Sequence, residues 1–389
     1  MKKIVAVAVA VLVVAVAGFM LMNGSSDSKN ADVVRIGIFQ PFTGDSGGGG
    51  KQETLGTQYA NYLTPEVEIA GKTYKVELVY ADNGSTPDKA PTAAAELVSK
   101  NVSIVLGSYG SAVSIAGGPT FRDAGIPAVG ITCSNPGVTK DNEYYFRVCF
   151  IDPFQGKVLA NFANDKFNAK KAYCLGELGN EYDQGLINYF TEAFEGEVIK
   201  DSFPTNTSDF STYLNKAIAE KVDVIFCPVS LAYSTQIIKL AADMKIATPF
   251  LGSDTLDSNM VLAAASKSGV QLYVSTFYQE GGDPEFDAGI KKWLHEDETA
   301  MTNNGGNDTV AGLSAMGYDA YYVALAALQK AGSTDPAKVH EVLPSVEIDS
   351  ISGHIAFDEV GDAIRDTAFI KKADTASDAW VLEKVQALK

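Results

Sequence analysis

The sequence predicts an α/β protein made of two doubly wound parallel-sheet lobes, joined by a hinge that the chain crosses more than once. Three observations predict it. The chain has 389 residues, too many for one ordinary α/β domain and suited to two. Short apolar runs alternate with stretches of helical periodicity, and this alternation starts twice, near residue 33 and again near residue 152. Serial strand–helix units of this kind build parallel sheets with helices on both faces. The last third is mainly helical and then strand-rich. With no strand series of its own, it must pack on the earlier sheets, and that returns the chain across the lobe boundary.

The elements follow in order. The first series opens with a strand over 33–39, a glycine-rich loop and a helix over 52–63. Strands over 74–80, 102–106 and 127–131 come next, separated by helices over 87–100 and 112–124. A strand over 144–150 marks the change of lobe. The second series has strands over 171–175, 197–203, 223–228, 249–252 and 271–276, with helices between them. Helices over 284–296, 314–331 and 336–343 follow. In the middle one, Ala320, Val323, Ala324, Ala327 and Leu328 form one apolar stripe. A strand-rich segment runs from His354 to the end. The division expected is 1–32 as a signal or anchor segment with a tether, 33–149 plus 279–350 as the first lobe, and 150–278 plus 351–389 as the second.

Composition narrows the function. Hydrophobic residues make up 46% of the chain, enough for a sizeable core. The net charge is −17 and no Lys/Arg-rich run offsets it, so a phosphate backbone is repelled and nucleic acid is excluded as a partner. His295, His340 and His354 show no zinc-type spacing, and no metal is expected. Cys133, Cys149, Cys174 and Cys227 contain no C-x-x-C pair. They read as buried thiols acting as small apolar groups, with disulfides the alternative in an oxidising compartment.

The N-terminus sets that compartment. Lys2 and Lys3 precede an apolar run from Ile4 to Met22, the pattern of an export signal, and Ala15-Val16-Ala17 offers a cleavage site. The run is also close to the ~20 residues that span a bilayer, so an uncleaved anchor is the alternative. Either way the body lies outside the cytoplasm, in the periplasm or on the outer face of the membrane. Residues 23–30 read as a polar tether, and no Cys follows the run to carry a lipid.

Enzymatic motifs are missing. The loop at 44–51 (GDSGGGGK) places Asp45 where a phosphate loop needs its first glycine and Gln52 where it needs Ser or Thr. There is no G-x-S-x-G elbow, and no pattern pairs two carboxylates as acid and base. Neither an enzyme nor a cofactor is expected. Three segments at the C-terminal ends of strands carry more information, because ligands bind there in open α/β sheets. In 106–112 (LGSYGSA), Ser111 stands where a helix begins, a place that favours a carboxylate; Tyr109 lies beside it. In 129–136 (VGITCSNP), Thr132 offers a carbonyl and Ser134 a hydroxyl and an N–H. In 250–254 (FLGSD), Asp254 can balance an ammonium.

These segments, in this order, resemble the type I periplasmic binding proteins of the leucine/isoleucine/valine-binding family. The opening 36–44 (IGIFQPFTG), the helix start 318–322 (YDAYY) and the late 353–362 (GHIAFDEVGD) carry the same resemblance, which spans nearly the whole body of the chain. It implies an extracytoplasmic solute-binding clamp of an ABC importer. Such a clamp is monomeric, takes an amino acid or amino-acid-like ligand of branched-chain type between its lobes, and delivers it to a membrane permease. By position, Ser111 and Ser134 would hold the ligand carboxylate, the Thr132 carbonyl and Asp254 its ammonium. Tyr182, in 179–183 (GNEYD), would close over it. Tyr109, Tyr233 and Tyr278 lie in segments that would reach the cleft. The family's opening loop often carries an aromatic against the ligand side chain. This chain has Gly47–Gly50 there, so that space must be roomier, wetter or filled from elsewhere. A ligand-sensing clamp that docks on a membrane receptor, and an exported α/β enzyme, are the alternatives.

Overall fold

The computed structural model describes residues 32–266 and 269–387. The apolar run, its cleavage motif and the tether lie outside those residues.

Two sheets organise the chain. The first has six strands, in the order β2 (Glu66–Ile69), β3 (Lys72–Asp82), β1 (Asp32–Gln40), β4 (Ile104–Leu106), β5 (Ala128–Gly130) and β6 (Tyr145–Arg147). All pairings are parallel except β2 with β3. Val34, Ile36, Ile38 and Phe39 of β1 are all buried, the near-continuous apolar reading of a strand covered on both faces. The second sheet has seven strands: β15 (Ala379–Ala387), β14 (Thr367–Asp374), β11 (Leu272–Thr276), β10 (Phe250–Gly252), β9 (Val224–Phe226), β7 (Lys171–Glu177) and β8 (Glu197–Phe203). Here β14 and β15 are antiparallel additions on the edge of a parallel set. Both sheets are therefore mixed, where the sequence predicted parallel ones. The antiparallel strands sit at the edges, where no crossover helix is needed to reach them. A short ribbon pairs β12 (Ile348–Ser350) with β13 (Gly353–Ile355).

The helices of the first lobe include α1 (Gly47–Leu63), α2 (Ala90–Ser99) and α3 (Ser111–Asp123). Those of the second are α4 (Asp152–Phe167), α5 (Glu181–Ala193), α6 (Ser211–Ala219), α7 (Leu231–Asp243) and α8 (Asn259–Ser266). The later segment gives α9 (Pro284–Glu296), α10 (Glu298–Asn303), α11 (Gly312–Ala331) and α12 (Pro336–Val342). One expectation fails: the glycine run is the first turns of α1, not a loop. Packing overrides the poor helix propensity of glycine. A Cβ at Gly48 would come within 2.5 Å of Leu231 and Met260, one at Gly49 within 2.4 Å of the Tyr109 ring, and one at Gly50 within 2.2 Å of the Pro41 carbonyl. Glycine lets three surfaces approach the helix that no other residue would admit.

The later helix α11 packs on α1, and the contact depends on two more glycines. A Cβ on Gly56 would stand 1.7 Å from the Ser314 carbonyl oxygen, and one on Gly317 2.0 Å from that of Glu53. The close approach lets Ser314 Oγ donate to the Gln52 carbonyl at 2.7 Å and Thr57 Oγ1 to that of Gly317 at 3.0 Å.

The chain passes between the lobes after β6, after β11, and between β13 and β14. These crossings are tied together. Arg147, fully buried, donates to Asp362 Oδ1 at 2.6 Å, and the two residues form a parallel bridge. Arg365 Nε donates to the Val148 carbonyl at 3.1 Å. The Phe150 and Phe277 rings stand 4.1 Å apart. Inside the second lobe, Lys371 on β14 pairs with Asp257 at 3.0 Å, with both side chains 1% exposed.

Candidate ligand-binding cleft

A cavity lies between the lobes, with about 550 Å³ of empty space counting its open mouth. The first lobe lines it with Ser46, Ser85, Tyr109, Ser111 and Thr132 among others. The second contributes Asn180, Tyr182, Asp183, Ser230 and Thr255. Three helices start at its walls. α3 has Gly110 as its N-cap and no side-chain cap, and Gly110 to Val113 line the cavity, so its first N–H groups are offered there. α5 is capped by Asn180, whose Oδ1 accepts from the N–H groups of Tyr182 and Asp183. α7 follows Ser230, whose hydroxyl does not cap it.

Five of the eight residues singled out in the sequence come together here. Ser111 Oγ accepts from the Asn135 N–H at 3.2 Å, which leaves its own proton for an acceptor in the cleft. Thr132 Oγ1 donates to Glu53. The Tyr109 hydroxyl reaches across to the Thr255 carbonyl at 3.5 Å, so its ring spans the lobes. Tyr182 donates to Asp254 Oδ1 at 2.8 Å, and Gln155 Nε2 donates to the same oxygen at 2.7 Å. Asp254 is 1% exposed and sits directly behind Tyr182.

Asp254 itself does not line the cavity, and neither do the other three. Ser134 lies one layer back, fully buried, next to the Asp152 carboxyl, though neither side chain has a hydrogen-bond partner at good geometry. Its loop is held from below by Arg147, whose Nη1 donates to the carbonyls of Cys133 and Asn135 at 2.9 and 2.7 Å. Tyr233 is at the rim. Its ring packs on Phe203 and Phe210, and its hydroxyl accepts from the Asn206 N–H at 3.0 Å. The same hydroxyl stands 3.4 Å from both Asp45 of the first lobe and Glu177 of the second. Tyr278 is away from the cleft altogether. The start of α9 claims its hydroxyl, which donates to Asp287 at 2.8 Å and accepts from the Asp283 N–H at 2.8 Å, while its ring packs edge-on against Phe286.

The cleft is also built from residues the sequence reading passed over. Glu53 on α1 is fully buried and accepts from Gln40 Nε2 at 2.6 Å as well as from Thr132; burial pushes its carboxyl up to about 8. Burial likewise raises Asp152 to about 7 and Asp254 to about 6, and holds Asp183 well above the ordinary carboxylate range. Of these carboxyls only Asp183 lines the cavity; Glu53 bonds the lining Thr132, Asp254 bonds the lining Tyr182, and Arg147 is committed to Asp362. Burial holds these carboxyls toward their neutral form until a cation stands beside them. Ser230 had a legible signal, since it lies in the turn from β9 to α7, on the side where ligands bind, and Asp183 neighbours the Tyr182 that was picked out. Glu53 and Gln155 carried none.

The four cysteines are free and buried. Among the described residues, no cluster of His, Cys, Asp or Glu is arranged to hold a metal, and no helix is long and apolar enough to cross a membrane.

With this geometry in place, the sequence pattern described as periplasmic binding protein matches residues 33–377. The chain belongs to the periplasmic binding protein family. Its branch is the type I, branched-chain amino-acid one. An amino acid binding protein of Pseudomonas aeruginosa is 26% identical over 362 residues, which cover 90% of this chain and 92% of that one. A Leu/Ile/Val-binding protein of Rhizobium johnstonii is 26% identical over 86% of this chain and 89% of its own. Among solved structures, a leucine binding protein from Thermotoga maritima superposes with a TM-score of 0.80 at 29% identity, covering 91% of this chain and 99% of that one. A Streptococcus pneumoniae branched-chain amino-acid transporter protein in complex with isoleucine gives 0.80 at 22% identity, covering 92% and 100%. An ABC-transporter solute-binding protein from R. palustris in complex with benzoate gives 0.78 at 19%, covering 91% and 96%.

Proposed function

We propose that this protein is the extracytoplasmic substrate-binding component of an ABC importer, a non-enzymatic clamp for an amino acid or amino-acid-like molecule in the branched-chain size class of its relatives. One observation carries the reading. A helix N-terminus with the free Ser111 proton lies on one wall, and Tyr182 backed by Asp254 lies on the opposite wall. The first wall suits a carboxylate and the second an ammonium, which is the charge pattern of a zwitterion. Ser111 and the N–H groups of α3 take the carboxylate. The Thr132 carbonyl and Asp254 take the ammonium, with Tyr182 turning aside to admit it.

A benzoate-like ligand fits less well, because it brings no ammonium to Asp254. Residues 33–149 with 279–350 act as one lobe and 150–278 with 351–389 as the other. The ligand draws them together because it touches both only when they are closed. The segment 1–32 exports or tethers the body, and the closed form presents the ligand to a permease. A thermal-shift screen of purified protein against the amino acids tests this reading, since a ligand that binds the folded state raises the midpoint by mass action. No shift with any amino acid, together with a shift from benzoates, refutes it.

A further inference from the structure

Relatives named for leucine, isoleucine and valine take branched aliphatic ligands, but the cleft of this chain is rich in polar side chains. The space next to the short opening of α1 is filled by Tyr109. Its ring lies against Gly49 so closely that a Cβ there would meet three ring carbons within 2.7 Å. The ring is 5% exposed, and its hydroxyl touches the opposite lobe at Thr255. The cavity is otherwise lined by Ser46 and Ser85 on one lobe and by Asn180, Asp183 and Ser230 on the other, with Pro41, Ala112 and Val113 as its aliphatic members.

Two of these groups are unspent. Asp183 is 1% exposed; its Oδ2 accepts from the Glu177 N–H at 2.7 Å, while its Oδ1 has no partner among the described residues. Ser230 occupies the N-cap of α7, where a serine hydroxyl ordinarily accepts from the first turn, yet its Oγ makes no cap bond and has no other partner. Both residues line one cavity from one lobe, and two buried polar atoms without a partner are costly unless a ligand meets them.

We infer that Asp183 and Ser230 form a side-chain subsite for a hydrogen-bonding group on the ligand, and that Tyr109 removes the apolar space a purely aliphatic side chain would use. This rests on the amino-acid reading above and narrows it: the preferred ligand is an amino acid of branched-chain size whose side chain ends in a hydroxyl or carboxamide. A site with buried polar groups rejects an isostere that leaves them unpaired far more strongly than an apolar pocket rejects an added hydroxyl.

Calorimetry on the whole exported body with two near-isosteric pairs, L-threonine against L-valine and L-asparagine against L-leucine, tests the inference. The polar member of at least one pair should bind about tenfold or more tightly. Ser230→Ala should bring that ratio down by about tenfold while the ligand-free melting midpoint stays the same, because the deleted hydroxyl bonds nothing in the protein. Tyr109→Ala should raise leucine affinity relative to wild type. Equal or tighter binding of the aliphatic member in both pairs overturns the subsite and leaves the amino-acid reading standing. Binding of none of the four, nor of any other amino acid, overturns both.

Discussion

Replacing Asp254 by asparagine isolates the charge that the proposed ammonium site depends on. Gln155 and Tyr182 both donate to Oδ1 of Asp254. An asparagine side chain keeps an oxygen in that place and puts an amide donor where the second carboxylate oxygen stood. The variant therefore loses the charge without losing the two internal hydrogen bonds. A unit charge about 4 Å from an ammonium is worth roughly 4 kcal/mol before desolvation, at the effective dielectric typical of proteins. A charge-assisted hydrogen bond contributes about 1.5–3 kcal/mol net. The net figure decides, and it corresponds to a loss of about ten- to 150-fold in affinity. The assay is calorimetry at pH 7.5 with whichever amino acid gives the largest thermal shift, run beside a melt of the empty protein. The empty variant should melt no lower than wild type, because burial already disfavours the ionised carboxyl. Affinity within twofold of wild type would falsify the assignment of the ammonium to Asp254.

Other outcomes follow from features elsewhere in the chain. Glu53, Asp152 and Asp254 hold folded-state values of about 8, 7 and 6, all above their ordinary ones. The folded chain then binds more protons than the unfolded one, and its stability falls as pH rises from about 4 to about 8. The ligand-free melting midpoint should be lower at pH 8 than at pH 5, and an equal or higher value at pH 8 refutes the burial argument. Ligand affinity should move the opposite way, tightening as Asp254 ionises above about pH 6, which titration calorimetry across pH 5 to 8 reads directly. Gly56→Ala forces a methyl onto the Ser314 carbonyl and should cost about 1–3 kcal/mol or more in urea unfolding. Lys371→Met alone strands Asp257 in the core and should cost about 3–5 kcal/mol, whereas a companion Asp257→Leu should recover most of it.

Much of the architecture could be read from periodicity. The strands β1, β7, β8 and β11 lie within one or two residues of the predicted ranges, because each is a short apolar run bounded by turn residues. The edge strand β2 escaped notice. Its four residues alternate between exposed and buried, and nothing in so short a stretch separates it from a turn. The glycine run misled for a physical reason: what makes it helical is the close approach of Tyr109, Pro41, Leu231 and Met260, none of which is adjacent in sequence. The site was partly legible, since Ser111, Thr132 and Asp254 sit at strand ends, where α/β sheets open. Tyr278 was drawn to the site by the family resemblance, but only the fold reveals that Asp283 and Asp287 hold its hydroxyl. Glu53 faces Thr132 across 79 positions of chain, a pairing that no local pattern announces.

The antiparallel edge β14–β15 has a consequence for how the molecule is made. It completes the second sheet from residues 367–387, after the chain has already gone back to build α11 against α1. During synthesis, β11 must wait with a bare flank of N–H and C=O groups while roughly ninety further residues are added. An unfinished flank of that kind invites pairing with other chains. A secretion route that keeps the polypeptide unfolded until it is across the membrane would spare this protein that exposure inside the cell.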